Sequence, residues 1–561
     1  MARIGEILIQ KGLLTQEQLE KALEESKLTG KVIGKILIDL QFITEIQLLK
    51  TLGEQLGLPF YDDLVNMEIG ENVIKSVPMK FVWHYKIIPI SLAANVLTIA
   101  VSDPMAIWFM EDLKLHLGFN IERVLSTEQE IMAAIRKHYG FGAETVEEIL
   151  EQKGEVKDKQ KEKPKPDIIA AAAEEKSAQD ASVVKLVDQI LEEAISSRAT
   201  DVHIEAFRDK VRTRCRIDGV LYDMNVSEQV KHLYQAIVSR VKIISSLNVV
   251  EKRLPQDGRA IMNVAGKQID LRISVIPSIY GEGVVIRILP VQHLFNLRKL
   301  GFSNEAYLQI EEMMKKPFGI IFLTGPTGSG KTTTLYSCLS MLNNNTVKII
   351  TIEDPVEYEL NGVMQIHVKP NIGFTFASAL RSILRHDPDI MMVGEVRDLE
   401  TAELAIRTAL TGHRIFSTLH TNDAASGATR LLDIGIEPYL ITSSVNAFIS
   451  QRLVRMICPK CKEERKDKQG LPKIYDNITL FKGKGCEECN FIGYKGRTVI
   501  YEILPIGSGI QALILQKASA VDINKKAREI GFKSLGDVGI EKIKQGITTP
   551  EEVMQVAKIE Q

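Results

Sequence analysis

No stretch of this 561-residue chain stays apolar for the ~18–20 residues that a membrane span needs. Its first residues, Met1 to Glu6, carry no secretory signal pattern. Neither sign of charge is in excess: 70 Lys and Arg stand against 72 Asp and Glu, a formal net charge of −2. No basic field, and no basic stripe interleaved with aromatics, is available to hold nucleic acid. Cysteine is scarce. Of six, Cys215 and Cys338 stand alone and four form two C-x-x-C pairs, which in a cytosolic chain predicts metal binding rather than disulfides. The expectation is a cytoplasmic protein with no nucleic-acid partner, meeting any membrane through other proteins.

What is present suggests about three or four domains by length alone. Apolar content of 45% and charged content of 25% are ordinary for a globular chain. Gly325-Pro326-Thr327-Gly328-Ser329-Gly330-Lys331-Thr332 follows the apolar run 319–324 and opens a helical segment, Thr332-Thr333 through Leu339. Strand, G-x-x-x-x-G-K-[ST], helix is the context a phosphate-binding loop requires. Backbone N–H groups and the helix N-terminus would hold the phosphates of ATP. Lys331 would reach the β- and γ-phosphates, and the Thr332 hydroxyl would take one Mg²⁺ position.

Further apolar strands follow, each ending in polar residues. The run 347–352 ends in Glu353-Asp354-Pro355-Val356-Glu357, and carboxylates at the carboxyl end of a core strand face the nucleotide crevice. The run 390–393 ends in Gly394-Glu395, where a base role for Glu395 fits better than a metal-ligand role. The run 414–418 leads to His420, placed to sense the γ-phosphate, whereas His413 alone reads as structural.

Cys458-x-x-Cys461 and Cys486-x-x-Cys489, separated by 24 residues, supply four thiolates for a closed, structural Zn²⁺ site. The gap is wide, so a loop must bulge between the knuckles. A redox C-x-x-C is the alternative. Thr549-Pro550-Glu551-Glu552 reads as a helix start with Pro at the first position and a capping Glu at the third.

Upstream, residues 1–60 hold a repeat of 29 residues: Gly5, Leu8, Ile9, Leu14, Leu19 and Leu23 recur as Gly34, Leu37, Ile38, Ile43, Leu48 and Leu52. Each copy has a capping box, Thr15-x-x-Gln18 and Thr44-x-x-Gln47. A small packed helical module and a ligand-binding repeat are both open readings. Residues 60–140 mix short strands and helix. Lysines alternate with acidic residues from Lys153 to Lys165, followed by prolines and an alanine run, which predicts a solvated linker. Beyond it, a helix at about 181–198 precedes alternating strands. Arg212, Arg214 and Arg216 share one strand face, with Arg272 and Arg287 on later strands. Local carboxylate partners such as Glu205, or a nucleotide held by another domain or subunit, are equally good readings.

Gly325–Thr332, Ile352–Glu357, Gly394–Asp398 and Ser417–Asn422 together resemble the Walker A, Asp-box, Walker B and His-box motifs of the secretion ATPase superfamily. That family drives type II secretion and type IV pilus machines. The resemblance implies an α/β, multidomain chain: a RecA-like P-loop ATPase core, a PAS-like α/β second domain and a helical/αβ N-terminal domain. The expected boundaries are 1–145, a linker at 146–180, 181–295 and 296–561. It implies a homohexamer hydrolysing ATP with Mg²⁺, peripheral to the inner membrane through a platform protein and a cytoplasmic pilus-ring protein. Glu395, Glu353 and His420 become catalytic candidates, with Arg212 and Arg287 reaching nucleotide from a separate lobe or subunit. The tetracysteine site and the N-terminal domain are similar to pilus-assembly and secretion members, and length and linker favour pilus assembly.

Residues 1–60 also resemble tandem motifs that bind cyclic di-GMP in some members. Ser26 stands where the pattern has Gln, Val32 where it has Arg and Gln41 where it has Gly, while Gln55 is kept. Outside this family, a nucleic-acid translocase and a nucleotide switch without turnover are the competing classes. The charge balance disfavours the first, and Glu395 with the arginine set disfavours the second.

Overall fold

The computed structural model describes residues 4–29, 32–104, 108–140, 181–264, 266–290 and 295–558. The expected linker at 146–180 lies outside them. The chain divides into two compact units, Met1–Leu289 and Pro290–Gln561.

The first unit begins with four helices, Ile4–Gln10, Gln16–Thr29, Ile33–Asp39 and Glu45–Leu56. Both capping boxes form. Thr15 N donates to Gln18 Oε1 (3.0 Å) and Gln18 N to Thr15 Oγ1 (3.3 Å), and Thr44 and Gln47 repeat this at 2.9 and 3.3 Å. Leu8, Leu14, Leu19, Leu37, Ile43 and Leu48 fill the shared core.

A three-stranded sheet follows: β1 (Ile88–Ala93), antiparallel to β2 (Val96–Val101), which runs parallel to β3 (Asn120–Leu125). Next come β4 (Ala199–Ala206), β5 (Val211–Ile217), β6 (Val220–Asp223), β7 (Gln256–Val264), β8 (Lys267–Ser278) and β9 (Gly281–Pro290), in the sheet order β6-β5-β4-β9-β8-β7. The β5–β6 hairpin turns on Asp218 and Gly219, with φ of +49° and +93°. Such a left-handed pair matches the twist of the strands it joins.

The second unit is built on a seven-stranded sheet. Its members are β10 (Gly319–Thr324), β11 (Ile349–Glu353), β12 (Met364–His367), β13 (Ile390–Val393), β14 (Arg414–Leu419), β15 (Val445–Ile457) and β18 (Tyr494–Pro505). A separate ribbon pairs β16 (Lys462–Arg465) with β17 (Leu480–Gly483). The order is β12-β11-β13-β14-β10-β15-β18, parallel throughout except for β15 against β18. Every residue of β10, β11 and β13 is buried, as expected of a parallel sheet covered on both faces. Along β10, Ile321 and Leu323 enter one apolar cluster, Ile320 and Phe322 the other. Bands in such a sheet put ligands at the carboxyl ends of its strands, where the chain switches direction across the sheet.

Two local expectations change. The 24 residues between the cysteine pairs do not simply bulge. They build the β16–β17 ribbon, and its connection drives Tyr475, Ile478 and Leu480 into the main core. Thr549 caps the last helix, Pro550–Val556, without a side-chain bond. Its Glu552 turns away, accepting from Arg455 N (3.0 Å) and its guanidinium (2.6 Å). A half-buried guanidinium outcompetes an end-of-helix amide for the carboxylate because the charge-assisted bond is stronger.

Candidate nucleotide site

The phosphate loop joins β10 to the helix Lys331–Leu342. Pro326, Thr327 and Gly328 form its exposed tip, while Gly325 and Ser329 are buried. Gly325 is a necessity of space: a Cβ there would come 2.8 Å from Gln451 O and 2.6 Å from Ser329 Oγ, at a φ of +145°. Gly330 precedes the helix without a side-chain cap, leaving the first N–H groups of the helix for a ligand. Thr332 and Thr333 are half-buried in this first turn.

Lys331 Nζ donates to Gly325 O (2.7 Å) and Pro326 O (3.0 Å). Burial pushes its pKa down to about 8, aided by the Arg452 guanidinium and opposed by Glu395. Ser329 Oγ and Thr334 Oγ1 are buried with no hydrogen-bond partner among the described residues. A cradle that only glycine fits, orphaned hydroxyls and a half-desolvated lysine suit a polyanion with its metal.

Glu395 follows β13 and His420 follows β14, and these strands are neighbours. His420 Nε2 lies 3.3 Å from Glu395 Oε2, and Arg397 holds Glu395 Oε1 at 2.5 Å. The glutamate side chain is 13% exposed and the histidine 51%, so the pair sits at the mouth of the crevice. The influence of Glu395 on Lys331 places the two in one electrostatic neighbourhood.

Glu353 behaves differently from a carboxylate facing the crevice. It is 3% exposed. Tyr336, on the helix of the phosphate loop, donates to its Oε2, while Thr351 Oγ1 (2.6 Å) and Gln365 Nε2 (3.1 Å) donate to Oε1. Burial raises its pKa against the pull of these donors. The following Asp354 is exposed at the strand end. His413 caps the preceding helix, with Nδ1 3.1 Å from Thr408 O.

The arginines of the first unit have local partners. Arg212 makes a two-point contact with Asp223 (2.6 and 2.9 Å), Arg214 pairs with Glu205 (2.6 Å), and Arg287 Nε bonds Asp201 Oδ1 (3.0 Å).

The four thiols of Cys458, Cys461, Cys486 and Cys489 lie within 4.8 Å of one another. Backbone N–H groups of Gly485 and Gly493 donate to Cys461 and Cys489 Sγ at 3.3 Å. N–H donors aimed at sulfur stabilise thiolate, and a tetrahedral S₄ set fits Zn²⁺.

Sequence reading passed over Gln451 and Arg452. Gln451 Nε2 donates to Ser329 O (2.8 Å), and Arg452 bonds Gln451 O (2.9 Å) and Asn422 O (2.7 Å). Only their place on a long, mostly buried strand, which also carries Asn446, Ser450 and Arg455, could have signalled them.

Comparison with known proteins agrees with this geometry. The family model described as "Type II/IV secretion system protein" matches residues 176–555, and one described as "MshEN domain" matches residues 56–145. The type IV pilus assembly ATPase PilB of Myxococcus xanthus is 42% identical over 98% of both chains. The type II secretion system protein E of Xanthomonas campestris is 38% identical over 99% of this chain and 98% of its own. Among solved structures, that of the pilus retraction motor PilT with bound ADP shares 28% identity, covering 66% of this chain and 96% of its own, with a TM-score of 0.45. With a family match across both units and relatives aligned nearly end to end, the chain belongs to the type II/IV secretion system proteins and is a motor ATPase that hydrolyses ATP.

Proposed function

We propose that this ATPase powers type IV pilus assembly as a homohexamer on the cytoplasmic side of the inner membrane. It would act through a membrane platform protein and a cytoplasmic pilus-ring protein. No helix among the described residues is long and apolar enough to cross a membrane, so force would pass through such partners. The observation that carries the motor reading is the Glu395–His420 pair at the carboxyl ends of β13 and β14, in the sheet whose β10 leads into the phosphate loop. Support for pilus assembly comes from the near full-length likeness to the Myxococcus protein. The equally long likeness to the Xanthomonas protein supports type II secretion as the second reading. Deleting the gene separates them: loss of surface pili with an unchanged set of exported enzymes supports the first, and the reverse supports the second.

In the proposed cycle, Gly325, Pro326, Thr327, Gly328, Ser329, Gly330 and Thr333 enclose the phosphates and Lys331 leaves its carbonyls for the β- and γ-oxygens. Thr332 would hold Mg²⁺, which would supply charge neutralisation. Glu395 takes a proton from the attacking water, and His420 fixes the glutamate and senses the γ-phosphate. Glu353 serves by holding Tyr336, and thus the helix of the loop, through the bond described above. Arg212 and Arg287 would complete the site from another lobe or subunit. The Arg212–Asp223 pair is exposed, holds weakly and exchanges readily for phosphate, whereas Arg287 is itself exposed but its partner Asp201 is buried. Zn²⁺ on the four cysteines would fix the β16–β17 ribbon.

The N-terminal repeat is proposed to take cyclic di-GMP. Its support is the equivalence of the two copies: Gly5 and Gly34 each abut the leucine fourteen positions on, Leu19 and Leu48, leaving room for no side chain. Calorimetric titration tests it, and absence of heat at high micromolar ligand ends it.

A further inference from the structure

We propose that Gln451 and Arg452 are positioning residues for ATP turnover, Gln451 setting the phosphate loop and Arg452 setting the His420 loop against it, on the assignment of Gly325–Thr332, Glu395 and His420 to nucleotide chemistry made above. β15 runs parallel to β10 with Ser450 opposite Thr324. The next two residues of β15 therefore lie level with the start of the phosphate loop.

Gln451 is fully buried, and its Nε2 holds Ser329 O at 2.8 Å. In a planar trans peptide the carbonyl and the following N–H point in opposite directions. Pinning Ser329 O toward β15 thus turns the Gly330 N–H away from it. Gln451 Oε1 has no hydrogen-bond partner among the described residues, so the side chain is retained in the interior for the one bond its amide makes.

Arg452 is 8% exposed and has no carboxylate within ion-pair distance among the described residues. Its two hydrogen bonds go to main-chain carbonyls, Gln451 O and Asn422 O. Burying a guanidinium whose hydrogen bonds go to neutral carbonyls is costly, and the nearby carboxylates Glu502 and Asp423 offset that cost only in part. Packing alone would be met by an apolar chain, whereas the planar fork holds the carbonyl of the preceding residue with one nitrogen and reaches Asn422 O with the other. One of those carbonyls belongs to the strand behind the phosphate loop. The other lies two residues beyond His420. The loop has other ties: Ala424 N donates to Glu502 Oε2 on β18 (2.9 Å), while Ser450 Oγ to Asn422 O is 3.5 Å and Thr324 Oγ1 to Asp423 O is 3.4 Å, both long. Arg452 thus joins β15, whose Gln451 holds the phosphate loop, to the loop just beyond the histidine that contacts Glu395.

The two residues should separate in steady-state kinetics of the full chain. Gln451→Met disturbs the phosphate cradle and should raise the ATP KM about tenfold with kcat held within about threefold, the signature of lost ground-state binding. Arg452→Lys keeps charge and bulk but loses the fork, and a shift of about 1 Å in the His420 loop should lower kcat about tenfold or more with KM within about threefold. Because Arg452 acts through that loop, combining Arg452→Lys with His420→Ala should be no slower than His420→Ala alone to within about threefold. Arg452→Gln is the second variant if the lysine fails to fold. Wild-type kcat and KM in variants that merely melt at lower temperature would reduce both residues to packing and overturn the proposal. Full multiplication of the Arg452 and His420 effects would overturn it as well. Lys331→Ala is the control: if it retains turnover, the assignment of the site itself fails, whereas its loss beside an unchanged Arg452→Lys refutes only the positioning role.

Discussion

Replacing Glu395 by Gln removes basicity while preserving shape. The side chain is 13% exposed and is fixed at one oxygen by Arg397 (2.5 Å) and at the other by His420 (3.3 Å). An amide fills the same volume and keeps one acceptor for Arg397. It cannot accept a proton from water. A general base contributes ~10²–10⁴-fold to rate, or about 2.7–5.5 kcal/mol of barrier, so steady-state phosphate release should fall by at least about a hundredfold. Nucleotide binding responds through Lys331. Its hydrogen bonds to the Gly325 and Pro326 carbonyls do not involve residue 395, so affinity at pH 7 should stay within about threefold of wild type. The charge of Glu395 supports the proton on Lys331, whose pKa is already down at about 8. Phosphate needs the protonated lysine. Affinity should therefore weaken as pH rises through about 8 in the wild type, and begin to weaken at lower pH in the variant. A fluorescent ATP analogue titrated from pH 6.5 to 9.5 beside a phosphate-release assay measures both quantities. Turnover within tenfold of wild type would show that another group is the base, and an alkaline limb that shifts upward would refute the electrostatic link.

Tyr336→Phe keeps the ring packed on Phe295 and Tyr358 but strips a donor from buried Glu353, and should cost about 1.5–3 kcal/mol in denaturant unfolding. Cys486→Ser should abolish stoichiometric zinc in metal analysis and lower the melting temperature by about 10 °C, since the ribbon carrying Tyr475 loses its anchor. Lys542 is buried, donates to Gly301 O (2.7 Å) and Thr498 Oγ1 (3.0 Å), and is pushed down to about 8 by burial. Its folded pKa lies below its unfolded one, so the unfolded chain holds the extra proton between about 8 and 10.4 and stability rises with pH across that window. Relative to Lys542→Met, the wild type should gain about 2–3 kcal/mol from pH 8 to 10. A flat difference would show that the burial is harmless to the charge.

Features written in contiguous residues were legible from sequence. Strand, glycine loop, lysine and helix occupy fourteen neighbouring positions from Gly319 to Thr332, and their chemistry needs no distant partner to be recognised. The same holds for the two capping boxes of the N-terminal repeat. The paired C-x-x-C motifs announced a four-sulfur site, because thiolate spacing by itself suggests tetrahedral metal.

Residues whose meaning depends on a neighbour distant in the chain were not legible. Glu353 closes an apolar strand as a crevice carboxylate would, yet β12 and the helix bearing Tyr336 enclose it with donors. The face that a strand-end side chain takes is set by sheet packing and not by its position in the run. Glu552 sits at a capping position and is claimed by Arg455. Arg212 and Arg287 look alike in spacing, and only the antiparallel register of the six-stranded sheet supplies Asp223 and Asp201 as their partners.

By itself, then, the sequence determined that this chain binds phosphate on a glycine loop and gathers four cysteines, since both are properties of local spacing. The tertiary structure decided how that loop is held. Parallel pairing of β10 with β15 brings Gln451 against Ser329, more than a hundred positions earlier, whose carbonyl it pins, while Arg452 on the same strand reaches Asn422 O in the loop after β14. No local pattern encodes that contact, because it exists only once two strands far apart in the chain lie side by side.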